Sequence, residues 1–175
     1  MTSNSKIQTD YLFYSKRKVE GKLKILGLAI LGIGILGILV FLMMGDTIMA
    51  VSILTVPLVG AMIASMTVTI AVRPDKVVVS FWGVIRNTIR IEDIAYAQSS
   101  NTDKYDSFSR LMYGHSIVGK GSYAYNVGYP FVIVAKRNGD LGYIKASVNE
   151  PEKCVAVITD LVDKYVEGIR AGKAS

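Results

Sequence analysis

The chain has one cysteine, Cys154, and one histidine, His115, and these two shortages exclude several chemistries at once. A disulfide framework needs pairs of cysteines, and a protein-built zinc site of the usual Cys/His kind needs several such ligands, so neither forms within the chain. No metal ligand and no cofactor is expected. Charge is scarce as well: between Ile25 and Val72 the only ionisable side chain is Asp46.

That stretch consists of two apolar runs, Ile25 to Met44 and Ile48 to Val72, parted by Gly45, Asp46 and Thr47. At about 1.5 Å rise per residue the first matches the roughly 30 Å hydrocarbon core of a bilayer, so it reads as a transmembrane helix. The second is longer and can cross with tilt or a bend, for which Pro57 supplies a place. Together they make a hairpin whose turn is too short to hold a domain, leaving residues 1–24 and 73–175 on one side of the membrane. A cleaved signal peptide is the competing reading of the first run, but its apolar core is too long and no small-x-small cleavage site precedes a mature start. Neither span carries the ionisable group that a transport pathway generally needs. Gly27, Gly34 and Gly37 thin the first span, while Gly60 with Ala64 and Ala61 with Ser65 allow close helix contact on the second, either within the hairpin or with a partner.

Basic residues give the orientation. Lys6, Lys16, Arg17, Lys18, Lys22 and Lys24 precede the first span against Asp10 and Glu20, and Arg73 and Lys76 follow the second. By the positive-inside rule both termini are cytoplasmic, with the prokaryotic cytoplasmic membrane as the expected location. Of the formal charge of +6, the N-terminal flank contributes +4 and the turn −1, which leaves +3 for residues 73–175. The basic character therefore belongs more to the membrane flank than to a folded domain, and nucleic acid is not an expected partner. In the flank, Tyr11, Phe13, Tyr14, Lys16, Arg17 and Lys18 mix aromatic and cationic groups as an interfacial anchor does.

From Pro74 onward short β-type runs replace the long apolar ones. Lys76 to Trp82 and Val84 to Ile91 read as a hairpin about Gly83, and Ile94 to Ser99 reads as a third strand. Asn101 to Ser109 is polar enough for a loop. Phe131 to Arg137 and Asp140 to Ala146 flank Asn138-Gly139, the dipeptide best suited to a two-residue hairpin turn. Asn149 followed by Glu152 resembles a helix cap with Pro151 in the first turn, and Val155, Ile158, Val162, Tyr165 and Ile169 then recur at helical spacing to give one apolar face. The class expected is a membrane α hairpin followed by an α+β domain.

The turn at Gly83, the phrase IEDIAYAQ at Ile91 to Gln98, the glycine-rich stretch running into SYAYNVG at Ser122 to Gly128, the pair FVIVAKRNGDLGYIKAS and the PEKCVAVI that opens the last helix resemble the bacterial pleckstrin-homology-like family. Members with a transmembrane hairpin directly before the domain are similar in architecture. The resemblance covers about Arg73 to Gly172 and implies a seven-stranded, strongly bent antiparallel sheet or split barrel with a C-terminal helix closing one end. Residues 100–122 depart from that strand count.

Candidate chemistry is thin. Gly114 to Lys120 matches the first seven positions of a phosphate-binding loop, but Gly121 stands where Ser or Thr should hold Mg²⁺, and the β-prone sequence that follows is not the required helix; a flexible inter-strand loop is expected there. His115 has no partner fixed by sequence. Cys154, in the first turns of the last helix and off its apolar stripe, is expected to be half-buried. No catalytic residue is assigned, and the protein is expected not to be an enzyme.

The expected role is protein interaction, as an accessory or scaffold subunit of a larger membrane assembly. A membrane-protein partner, a homo-oligomer and membrane lipids are the candidate partners. Tyr113, Tyr123 and Tyr125, set among glycines, are candidates for a partner surface, with Tyr123 and Tyr125 on one strand face. The alternative is recognition of anionic lipid headgroups, for which Lys16, Arg17, Lys18, Arg86 and Arg90 are the candidate contacts.

Overall fold

The computed structural model describes residues 11–100, 114–119, 121–137 and 142–173. The chain divides into two compact units: Lys18–Thr67, and Met1–Arg17 together with Val68–Ser175.

The first unit is helical. Gly21–Met43 forms α1, Thr47–Ser52 forms α2 and Thr55–Ala64 forms α3. Asp46 caps α2 by accepting the Met49 N–H at 3.0 Å. The break between α2 and α3 follows from Pro57, which has no N–H to give to the Ile53 carbonyl; that carbonyl instead accepts from Val56 at 2.9 Å. Gly27, Gly34 and Gly60 set the packing of α1 against α3. A Cβ on Gly34 would lie 2.5 Å from Pro57 Cδ, and one on Gly27 would lie 2.8 Å from the Ala64 nitrogen, while one on Gly60 would strike the Leu31 backbone. The small residues expected for helix packing, Gly60 and Ala64, thus serve the hairpin itself.

Both α1 and the stretch Thr47–Ala64 are long and apolar enough to cross a membrane. Only 11% and 17% of their most apolar windows are buried, which is unlike the core helix of a soluble fold. The span expected to run to Val72 ends earlier, because Thr67–Val72 is strand β2.

The second unit carries two sheets. One has the order β1-β2-β3-β4, with β1 at Phe13–Lys18, β3 at Lys76–Phe81 and β4 at Ile85–Arg90. Val68 pairs with Phe81 and Val72 with Val77, so Val68, Ile70, Val72, Val77 and Val79 bury one face. Within the N-terminal flank Phe13–Lys18 is therefore a strand of this sheet: Phe13 and Ser15 are buried, while Tyr14, Lys16 and Lys18 are exposed. The apolar helices are an insertion between neighbouring strands β1 and β2.

A 3-10 turn at Ile91–Asp93 leads into the other sheet, ordered β5-β8-β9-β7-β6, with β5 at Ile94–Ser100, β6 at Gly114–Gly119, β7 at Ser122–Asn126, β8 at Phe131–Lys136 and β9 at Tyr143–Ser147. This departs from a purely antiparallel expectation, since β7 and β9 run parallel, with Tyr123 opposite Ile144 and Tyr125 opposite Ala146. The described residues hold nine strands: seven, β3 to β9, fall within Arg73–Gly172, and β1 and β2 precede that range. The Asn138-Gly139 turn and the loop from Asn101 to Ser109 lie outside the described residues.

The last helix, α4, spans Pro151–Lys173 and packs on β5, β8 and the 3-10 turn. Cys154 and Ile158 are fully buried, and Val155, Val162 and Tyr165 are half-buried, as helical spacing predicts; Ile169 is exposed. The Cys154 N–H donates to the Glu150 carbonyl, and Asn149 turns back to β1, its backbone N–H reaching Ser15 Oγ at 3.2 Å and its Nδ2 reaching the Lys16 carbonyl at 3.3 Å.

Candidate functional site

Where β3 begins and β4 ends, the antiparallel register sets Lys76 opposite Arg90. The turn before β3 is tight: the Arg73 N–H donates to the Lys76 carbonyl at 2.8 Å, and the Ile91 N–H donates to the Asp75 carbonyl at 3.0 Å. Across from this edge runs the middle of α4. Between them is a cleft of about 740 Å³, with Ile91, Leu161 and Tyr165 as its apolar lining and Asp75, Lys76, Arg90, Glu92 and Lys164 among its polar lining.

The cations of this cleft each have a carboxylate close by. Lys76 Nζ lies 3.1 Å from Asp75 Oδ2, Arg90 Nη1 lies 3.1 Å from Glu92 Oε1, and Lys164 Nζ lies 2.7 Å from Asp160 Oδ2 one helical turn away. The hydrogen bond from Lys76 holds the Asp75 carboxyl below its usual range. Exposed pairs of this kind add little stability. Their importance here is electrostatic, since each carboxylate offsets the attraction its cation would offer to an incoming anion. The rim alternates in sign and the lining between is apolar.

The sequence candidates fall elsewhere or are rearranged. Arg86 and Arg90 share the exposed face of β4, as alternation requires, with Arg86 Nη2 reaching the Gly83 carbonyl at 3.4 Å. Lys16 and Lys18 share an exposed face of β1. Arg17, expected at a headgroup, lies on the opposite face of β1 and donates from Nη1 to the Val148 carbonyl at 2.9 Å. Tyr125, expected at a partner surface, is fully buried; its Oη accepts a hydrogen bond from Asn87 Nδ2 at 2.6 Å. Burial pushes its phenol above the usual value, and the Asn87 bond opposes that shift. Tyr123, on the same strand face, is half-buried, and Tyr113 lies outside the described residues.

Gly114–Gly119 is not a loop but strand β6, paired antiparallel with β7, with His115 opposite Tyr125. The backbone there is extended, and β7 follows in place of the helix that a phosphate-binding loop requires. Lys120 lies outside the described residues. Cys154 is fully rather than half-buried, and burial pushes its thiol up to about 12, far from the range of a nucleophile. Among the described residues, no group of three or more His, Cys, Asp or Glu side chains is placed to hold a metal.

The cleft was missed in the sequence because its walls come from residues far apart in the chain, and no local period links Asp75 to Leu161. No family model matches the chain, and neither do any curated protein or solved structure.

Proposed function

We propose that the protein is a membrane-anchored, non-enzymatic interaction module, an accessory or scaffold subunit of a larger membrane assembly, with both termini and the β domain in the cytoplasm. The observation that carries this reading is the cleft beside α4, where an apolar lining lies within a rim of alternating charge. Such a surface suits a protein segment better than a phosphate, because an anion there would meet a carboxylate beside each cation. The pleckstrin-homology-like reading is supported by chain order: without the β6-β7 hairpin, four strands are followed by three and then by a helix. The parallel pairing of β7 with β9 is a departure from that plan.

Headgroup recognition is the second reading, and it is favoured by the exposed faces that carry Lys16 and Lys18 on β1 and Arg86 and Arg90 on β4.

The test is purification of the full chain from its native membrane in mild detergent, comparing wild type with Lys164→Glu and Leu161→Asp. A protein that co-purifies in fixed ratio with wild type, and is lost with both folded variants, supports the subunit reading. Co-purification that survives both changes excludes the cleft. Anionic lipid retained in fixed ratio, with no protein partner, supports the second reading.

A further inference from the structure

The turn between β3 and β4 is built against its own backbone preference. Val84 N–H donates to the Phe81 carbonyl at 3.1 Å, closing a two-residue turn in which Trp82 has φ +53° and Gly83 has φ +74°. Positive φ at both central residues is the hairpin turn for which Asn-Gly is the favoured pair. Gly83 fits it, but a bulky aromatic residue in the left-handed region is strained. Trp82 is the only tryptophan in the chain, and the only described non-glycine residue with positive φ.

Trp82 is only half-buried, with its ring 5.1 Å from that of Phe81. Beyond it Val84 is 82% exposed and Ile85 is 41% exposed. The turn therefore presents a short apolar tip, followed at once by the exposed Arg86.

Its place in the sheet supplies the occupant. Val68 stands opposite Phe81, and Phe81 opposite Ile85, so the turn lies at the end of the sheet where β2 begins. This is the end at which the chain leaves β1 for α1 and returns from α3. Both chain connections to the apolar helices leave from this end of the sheet, since β1 ends at Lys18 and α1 begins at Gly21, while α3 ends at Ala64 and β2 begins at Thr67.

We infer that the Trp82-Gly83-Val84-Ile85 turn inserts into the headgroup and upper acyl region of the bilayer, with Arg86 meeting anionic headgroups. Tryptophan suits that depth because its ring is apolar and its N–H is polar, and Val84 and Ile85 add apolar area beside it. The flanking guanidinium supplies attraction to anionic lipid. This tip would fix the β domain's orientation over the membrane and so decide which of its surfaces is offered to neighbours. The inference rests on the reading of α1 and Thr47–Ala64 as spans.

The lone tryptophan provides the probe. The full-length protein is reconstituted into vesicles of phosphatidylcholine and phosphatidylglycerol, and retention on the vesicles after an alkaline carbonate wash is measured first. The same vesicles, made with lipids brominated high on the acyl chain, should remove most of the Trp82 emission, whereas aqueous iodide should remove little. Replacing phosphatidylglycerol by phosphatidylcholine should weaken the bromine effect in wild type more than in Arg86→Gln. Carbonate-resistant protein with Trp82 quenched by iodide and untouched by bromine overturns the inference while the spans stand. Release by carbonate overturns both.

Discussion

Asn87 Nδ2 donates to Tyr125 Oη at 2.6 Å, joining β4 of one sheet to β7 of the other. Tyr125 has no exposed surface, so this bond satisfies a buried polar group. Tyr125→Phe should lower domain stability by about 1 kcal/mol, and Tyr125→Ala by about 3 kcal/mol or more. Thermal loss of the near-UV signal in mild detergent measures both. Equal stability of wild type and Tyr125→Ala, with weakened partner association, would return Tyr125 to a contact surface.

The hairpin makes a paired prediction about glycines. A Cβ on Gly34 or Gly60 would collide with backbone of the facing helix, whereas one on Gly32 meets nothing within 4 Å. Gly34→Ala and Gly60→Ala should each cost about 1–3 kcal/mol through overpacking, and Gly32→Ala should be neutral or mildly stabilising. Melting of the helical signal in detergent checks this, and three indistinguishable variants would remove the close contact from the account.

Burial of Cys154 has a consequence with a definite sign. Its thiol is pushed up to about 12 from an ordinary 9.0, so the folded chain holds this proton more tightly than the unfolded chain does. The resulting stabilisation is fully present below pH 9 and is lost as pH rises from 9 toward 12. Near neutral pH the native protein should resist alkylation by a soluble maleimide and react once unfolded. Rapid labelling of the native chain would contradict the burial.

Strain at Trp82 predicts a separation of stability from surface contact. Trp82→Asn creates the Asn-Gly pair that the turn geometry favours and should stabilise the domain in detergent by about 1 kcal/mol. A lower melting temperature for this variant would show that the indole contributes more to packing than the strain costs.

Much of the fold was legible because periodicity reports burial. Alternation in Lys76–Phe81 and Ile85–Arg90 marked a hairpin, and the spacing of Ile158, Val162 and Tyr165 marked α4. The errors share a physical cause. Thr67–Val72 is as apolar as the helix before it, and only its β-branched content and pairing with β3 separate strand from span. Phe13, Ser15 and Arg17 do alternate with exposed neighbours, but the aromatic and cationic residues beside a long apolar run drew attention away from that strand period. Alternation put Tyr123 and Tyr125 on one face without saying that Tyr125 would be covered. The α4 cleft could not be read at all, since Asp75, Arg90 and Leu161 meet only through tertiary packing.

The central claim is that a cytoplasmic β domain is spliced around a two-span membrane hairpin, and accessibility labelling of whole cells tests it most directly. Thr47→Cys lies at the first residue of α2, beside the turn between the apolar helices, and Glu92→Cys lies on the exposed rim of the cleft, while native Cys154 is buried and should stay silent. A membrane-impermeant maleimide should label Thr47→Cys on intact cells and Glu92→Cys only after the membrane is opened. Labelling of Glu92→Cys on intact cells, or of both positions only after opening, would contradict the account.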